Sequence, residues 1–385
     1  MQYKLKELFD LQMGKTPSRN NSDYWNTKDN KWISIADLSK CKKYIADTKE
    51  YISDIAIKES GINPIPANTV VMSFKLSIGK TAITKEVIYS NEAIMSFRDK
   101  KTIELLPDYT YYLMMSKRWD EGTNKAVMGK TLNKATLSEI KVSIHDIAEQ
   151  QRIVNILDKV VDLIDKRKEQ LEKLDELVKS RFIEMFGTVK DNPYLFPTAT
   201  LKEVCHKITD GKHGGCEQEA DSGYYYVGAR EIYDGVIHYD TAPQITYADF
   251  AKDYRRCNIE QGDMVIVNTG ATIGKSAIAS SPLTERTLLQ KSVALIKVKT
   301  DVISAEFLRY CYMANPSMYM VESASAQPNL LLSKMNATAI YLPPIELQEQ
   351  FAAFVSQVDK SKFEIKQSLE KLEVLKKALM QKYFG

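Results

Sequence analysis

"DIAEQQRIVNILDKVVDLIDKRKEQLEKLDELVKSRFIEMFG", residues 146–187, holds no proline, and its only glycine is its last residue. Apolar side chains recur along it at Ile153, Leu157, Val160, Ile164, Leu171, Leu174, Val178 and Met185, with Arg167 and Arg181 interrupting. Alternating steps of three and four put one narrow stripe on a helix, as a coiled coil requires. A helix lying on its own globule would carry a wider stripe and be shorter. About 40 helical residues span roughly 60 Å, more than one globule can cover. A partner helix is therefore expected.

The partner stands at the other end of the chain. "IELQEQFAAFVSQVDKSKFEIKQSLEKLEVLKKALMQKYFG", residues 345–385, repeats the plan. Its stripe runs Phe351, Val355, Val358, Ile365, Leu369, Leu372, Leu379 and Tyr383, with Lys362 and Lys376 interrupting. Gly385 and Gly187 are offset by 385 − 187 = 198 positions, and the string LEKL at 171–174 returns at 369–372 by the same offset. Leu157, Ile164, Leu171 and Val178 are expected to form one side of the seam. Val355, Leu369, Leu372 and Leu379 form the other.

The segments before the helices are duplicated too. "LKEL" (5–8) answers "LKEV" (201–204), and "KWISIADL" (31–38) answers "YYVGAREI" (225–232). "TVVMS" (69–73) answers "DMVIV" (263–267), and "DYTYYLMMSKRW" (108–119) answers "SAEFLRYCYMAN" (304–315). Strands are expected at 31–35, 70–73, 82–85, 93–97, 264–267 and 293–298. "GTVKDNPYLFPTAT" (187–200), with two prolines and no periodicity, marks a boundary. The chain thus reads as α+β. It has two tandem mixed α/β domains, residues 1–145 and 188–343, each followed by a long helix, 146–187 and 344–385. A two-fold arrangement of the copies makes the helices an antiparallel coiled coil.

Bulk composition bounds the rest. The chain has 385 residues, 27% charged and 44% hydrophobic, as expected for a globular protein of more than one domain. Lys and Arg number 53 against 50 Asp and Glu, a balance too mild to prove a polyanionic partner. No apolar run is long enough to span a bilayer, and the N-terminus carries no signal-like core, so a cytoplasmic location is expected. Five scattered cysteines make no disulfide framework. Cys205, His206, His213 and Cys216 match no familiar zinc spacing, and no metal is expected.

"SIGKTAI" (77–83) and "TIGKSAI" (272–278) each resemble the tail of a phosphate-binding loop. That loop needs a glycine five residues before its last one. Phe74 and Thr269 stand there instead. Gly79 and Gly274 suit tight turns between adjacent strands better. Adenine methylation would need an element such as Asn-Pro-Pro-Tyr. Asn192-Pro193-Tyr194 lacks one proline, and Pro343-Pro344 lacks the polar residue ahead. His145, His206, His213 and His238 have no acid–nucleophile grouping nearby, so no catalytic residue is expected.

Recognition remains. Loops rich in basic, hydroxyl and amide side chains recur in both copies, and such groups suit phosphate oxygens and base edges. The candidates are Lys15, Thr16, Ser18, Arg19, Lys75, Ser77 and Lys80 in the first copy. In the second they are Lys212, His213, Asn268, Thr269, Thr272 and Lys275.

These residues carry a family resemblance. "MGKTPSRNNSDYW…KWISIADL" (13–38) resembles the opening motif of target-recognition domains in the specificity (S) subunits of type I restriction–modification systems. "ITDGKH" (208–213) followed by "YYVGAREI" is similar to the other common opening. "IAEQQRIV" (147–154) and "LPPIELQEQF" (342–351) resemble the starts of that family's helical regions. One departure is Ile144-His145-Asp146-Ile147, where the family usually has the prolines that Leu342-Pro343-Pro344 keeps.

The resemblance implies a non-catalytic DNA-reading subunit. Each recognition domain would read one half of a bipartite asymmetric target, and the paired helices would set the gap and dock two methylation subunits. Restriction subunits would join them. No cofactor would be held by this chain. S-adenosylmethionine would belong to the methylation subunits, ATP and Mg to the restriction subunit. The alternative is a non-catalytic scaffold of two protein-binding modules on a coiled-coil stalk.

Overall fold

The computed structural model describes all residues except 76, 118, 120–132, 189, 316–317 and 319–329. Leu76 in the first glycine–lysine loop, Arg118 in the helical stretch 108–119 and Val189 in the boundary stretch lie outside the described residues. Two compact units emerge: residues 1–168 with 367–385, and residues 169–366. Among the described residues no helix is long and apolar enough to cross a membrane.

In the first unit, Val70–Ser73 is an apolar run buried at every position, so it must be a central strand. The sheet order is Phe9–Met13, Ile94–Asp99, Val70–Ser73, Thr81–Thr84, Tyr44–Ile45. The first four strands are antiparallel, and Tyr44–Ile45 runs parallel to Thr81–Thr84. The second unit builds its sheet around Met264–Val267, likewise fully buried. Its order is Cys205–Asp210, Val293–Val298, Met264–Val267, Ser276–Ile278, all antiparallel. Helices Pro107–Ser116 and Ala305–Ala314 pack on equivalent strands of the two sheets.

One expected strand is shorter than the apolar pattern suggests. Asn30–Ile33 is strand, but Ser34 starts the helix Ile35–Lys40. The cause is local. Asp37 accepts from the Ser34 amide (2.8 Å) and hydroxyl (2.7 Å), which stabilises a helix start over strand continuation.

Each globule closes on itself. Gln2–Lys4 pairs antiparallel with Lys141–Ser143, and Thr198–Thr200 pairs with Ala339–Tyr341. The long helices Ile147–Phe186 and Ile345–Phe384 begin a few residues after these closing strands.

A buried glutamine in the first turn of each long helix fixes that junction. Gln150 is 1% exposed. Its Nε2 donates to the carbonyls of Glu104 and His145 (both 3.0 Å), and its Oε1 accepts the Leu106 amide (3.0 Å). Gln348 is fully buried. Its Nε2 donates to Val302 (3.2 Å) and Pro343 (2.8 Å), and its Oε1 accepts the Ser304 amide (2.9 Å). Every partner is displaced by the repeat offset. His145 thus presents the same carbonyl as Pro343, so the departure from proline at the first helix leaves this junction intact.

The helix halves pair antiparallel inside each unit. In the first, Leu379, Met380 and Tyr383 pack against a core holding Ile153, Val154 and Leu157, and Phe384 meets Tyr109 at 5.3 Å between centroids. In the second, Phe182 and Phe186 pack against Phe351 at 5.3 and 5.6 Å, and Lys362 pairs with Asp175. Of the expected seam, Leu157, Ile164, Val178 and Val355 are buried, while Leu171, Leu369, Leu372 and Leu379 are partly buried.

The stripe drifts at the end of the first helix. Arg181, expected in the seam, is exposed and pairs with Glu184 at 2.9 Å. Phe182 takes the buried place, giving steps of four through Val178, Phe182 and Phe186. A straight helix has 3.6 residues per turn and drifts off a strict heptad, and two phenylalanines follow the drift. Among the interrupting cations, Lys376 is partly buried and burial holds its ammonium below the usual lysine range.

Candidate nucleic-acid interface

The candidate loops leave one end of each sheet. In the first unit Met13 lies opposite Met95, Ser73 opposite Ile94, and Met72 opposite Thr81. The segments after Met13, after Ser73 and before Thr81 therefore gather at a single edge. In the second unit Asp210 lies opposite Ala294, Val267 opposite Val293, and Ile266 opposite Ser276. The loops holding Lys212–His213 and Asn268–Lys275 share the corresponding edge.

The backbone frame of this edge is the same in both units. The Gly14 amide donates to Ile94 (3.2 Å) and the Lys15 amide to Ser90 (2.9 Å). The Gly211 amide donates to Val293 (3.1 Å) and the Lys212 amide to Leu289 (2.7 Å). A Cβ on Gly14 would stand 2.1 Å from the Ser90 carbonyl oxygen, and one on Gly211 would stand 2.2 Å from that of Leu289. Backbone carbonyl oxygens block the space at both positions, joined at Gly14 by Ser90 Oγ at 2.3 Å, so no rotamer change relieves it. Gly14→Ala and Gly211→Ala are each expected to destabilise their unit by about 1–3 kcal/mol. Urea unfolding would measure this, with Gly215→Ala, whose Cβ would meet nothing within 4 Å, as control.

The glycine–lysine strings are turns. Gly79 has φ 92° and Gly274 φ 88°, as glycine tolerates. The Gly79 amide donates to Ser73 and the Gly274 amide to Val267, both at 2.9 Å, and the Lys80 amide donates to Ser73 Oγ at 3.1 Å. These amides close the turn, whereas a phosphate cradle needs such amides turned toward the ligand.

In the first unit, Lys15, Thr16, Pro17 and Ser18 line an open groove with Tyr24, Glu59, Ser60 and Glu92. Lys15 Nζ donates to the Ser60 carbonyl (3.0 Å), at the C-terminus of helix Asp54–Ser60. The Ser18 carbonyl accepts from Trp25 Nε1 (3.0 Å). Arg19 grips Glu50 with two hydrogen bonds, 2.5 and 3.1 Å, and lies 3.7 Å over the Trp25 ring. Lys80 Nζ donates to Ser39 Oγ, and the carbonyl of exposed Ser77 accepts from Ser73 Oγ (2.6 Å). Three candidates converge on Glu92, a residue that sequence reasoning missed. The Thr16 hydroxyl donates to it, and this bond, with the nearby charges of Lys75 and Arg19, holds its carboxyl below the usual range.

The second unit arranges the edge differently. Lys212 is mostly buried and pairs with Asp253 at 2.8 Å, which raises its pKa. Exposed His213 meets Asp210 through Nε2 at 2.9 Å. Arg256 donates from Nε to the carbonyls of Asp210 and Gly211, both 3.0 Å, and its guanidinium pairs with the Asp210 carboxylate. Burial pushes the Asp210 carboxyl up, but hydrogen bonds from Arg256 and His213 outweigh it. Asn268 is 4% exposed, with its amide on Ser292 (3.0 Å) and its carbonyl taking the Leu330 amide (2.8 Å). Thr269 and Thr272 are partly buried and Lys275 is exposed. Asp253 and Arg256, both unanticipated, belong to helix Tyr247–Cys257, which Thr246 caps. The Thr246-x-x-Asp249 spacing was a usable signal for it.

Little here suits covalent chemistry. Burial pushes the Cys205 thiol up to about 12 and that of Cys257 up to about 11, far from a reactive thiolate. Among the described residues no three His, Cys, Asp or Glu side chains are grouped to hold a metal ion.

A duplicated chain is also what comparison with known proteins returns. The family described as Type I restriction modification DNA specificity domain matches residues 1–175 and 195–377. The chain belongs to this family. Among its relatives is the type I restriction enzyme MjaIX specificity subunit of Methanocaldococcus jannaschii, 24% identical over 403 residues, covering 98% of this chain and 91% of the relative. The EcoR124I/EcoR124II specificity subunit of Escherichia coli is 27% identical over 178 residues, covering 44% and 43%. The S subunit of a type I system from M. genitalium matches the fold with TM-score 0.56 at 16% identity, covering 100% and 96%. A chain from a type I R-M system solved to explain complex assembly and conformational transition gives TM-score 0.65 at 16% identity, covering 99% and 96%. The α+β architecture with two specificity domains and antiparallel helices is thus that of type I S subunits.

Proposed function

We propose that this chain is the sequence-specificity subunit of a type I restriction–modification system, reading a bipartite asymmetric DNA target. Residues 1–145 and 188–343 are the two recognition domains, and 146–187 with 344–385 form the spacer that sets the gap. B-DNA turns once in ~34 Å, so a rigid spacer keeps two readers in phase with the grooves. Methylation subunits carrying S-adenosylmethionine dock on the helices and flip the adenine to be methylated. A restriction subunit using ATP and Mg completes the assembly. This chain supplies recognition and no catalytic group.

The observation that carries the reading is the duplicated sheet edge. Gly14-Lys15 and Gly211-Lys212 hold one backbone frame, while the side chains mounted on it differ. One frame with two chemistries suits two unlike half-sites. Modified-base sequencing of genomic DNA with and without the chain tests it. One split adenine motif should vanish with the chain; an unchanged set of motifs from an expressed system would refute the reading.

Exposed Lys15, Thr16, Ser18, Arg19, Ser77, His213 and Lys275, with partly buried Lys75, Lys80, Thr269 and Thr272, are the proposed DNA contacts. Lys212 and Asn268 hold the loops that present them. Arg19→Ala and Lys80→Ala are each expected to weaken binding to all duplexes and to lower the salt slope by about one. Titration of labelled duplex at several salt concentrations measures both quantities, and unchanged slopes would remove these residues from the interface.

A further inference from the structure

Helix Tyr247–Cys257 has three distinct faces. Phe250 and Cys257 are buried, with Tyr254 packed beside Phe250. Asp249, Asp253 and Arg256 share a flank turned to the Asp210–Lys212 loop, Asp249 at 3.8 Å from Lys212 Nζ and the other two through the bonds given above. The remaining face carries Ala248, Ala251, Lys252 and Arg255, all exposed. At 100° per residue these four lie within about a third of the helix circumference. The two acids of the helix are turned away, so this face is cationic. Neither Lys252 nor Arg255 makes an ion pair among the described residues.

We infer that this face enters a groove of duplex DNA and reads bases of the second half-site, with Arg255 and Lys252 as base-reading residues. The inference rests on the DNA-reading function proposed above. Four features favour a duplex as occupant. Charge is complementary. Two alanines let the helix backbone approach closely, and a methyl side chain fits against a thymine methyl. An α-helix fits the major groove. Arg256 ties the helix directly to the loop at the candidate edge, so the surface is continuous with it.

The first unit differs at the matching place. Helix Asp54–Ser60 also ends in a left-handed residue, Gly61, where the second ends in Asn258, but it is four residues shorter. Its exposed residues are Asp54, Ile55, Lys58 and Glu59, so the cationic face belongs to the second unit's helix and not to the first's.

The test uses the full chain expressed with its partner subunits, with genomic modified-base sequencing as readout. Arg255→Ala and Lys252→Ala should relax the motif at second-half positions only, with methylation at the original sites falling roughly ten- to hundredfold. Arg255→Lys keeps the charge but loses the two-pronged donor, so it should relax the motif as alanine does. A motif unchanged at every position overturns the inference, as does full rescue by Arg255→Lys. A fall in methylation with no relaxation at second-half positions, as from a broken protein contact or misfolding, also overturns it. Absence of any motif with the unaltered chain would instead sink the DNA-reading function itself.

Discussion

Phe182→Ala should lower the stability of the second unit by about 3–5 kcal/mol, the largest effect expected of any single change described here. Phe182 is fully buried and touches four rings: Phe186, Phe307, Tyr310 and Phe351. These rings come from both long helices and from the globule. Truncation removes the transfer energy of the ring and leaves a cavity that rigid helices cannot close. Hydrogen exchange is the suitable measurement, because it reports residues 169–366 apart from the rest. Amides of the second unit should lose protection. A loss below about 1 kcal/mol would show that the cluster relaxes into the gap.

Gln348→Leu should cost about 2–4 kcal/mol, although leucine is larger in apolar surface and similar in size. The leucine leaves the Ser304 amide and the Val302 and Pro343 carbonyls without the partner that joins them. Each buried orphan costs about 1–3 kcal/mol, partly offset by better burial of an apolar chain. Gln150→Leu should do the same in the first unit. The informative control is Gln348→Glu. It keeps the acceptor but removes the donor, so it should be at least as damaging at neutral pH. If Gln348→Leu proved neutral, the junction would be held by the closing strands alone.

The parts of this fold legible in the sequence are those written in local periodicity. Val70–Ser73 and Met264–Val267 had to be buried strands, and the seams of Leu157 and Val355 had to be covered. The glycine strings failed a known frame by simple counting. Gln150 and Gln348 were not legible, because a glutamine in the first turn of a polar helix usually faces water. Only the tertiary arrangement supplies its three backbone partners. Lys212 posed the same problem among the candidate contacts. Its partner Asp253 lies forty-one positions away, on a helix that the loop pattern did not announce. Arg181 was misplaced for a different reason: strict heptad counting ignores the drift that Phe182 follows.

The antiparallel helix pair also has a consequence for the order of synthesis. Leu379, Met380, Tyr383 and Phe384 pack on the core of the first unit, and Lys117 Nζ donates to the Phe384 carbonyl at 3.0 Å. The first of the two units is therefore completed by a segment translated only after the second. Until then its apolar helix face stays open, and the nascent chain must keep it soluble through some two hundred further residues of translation.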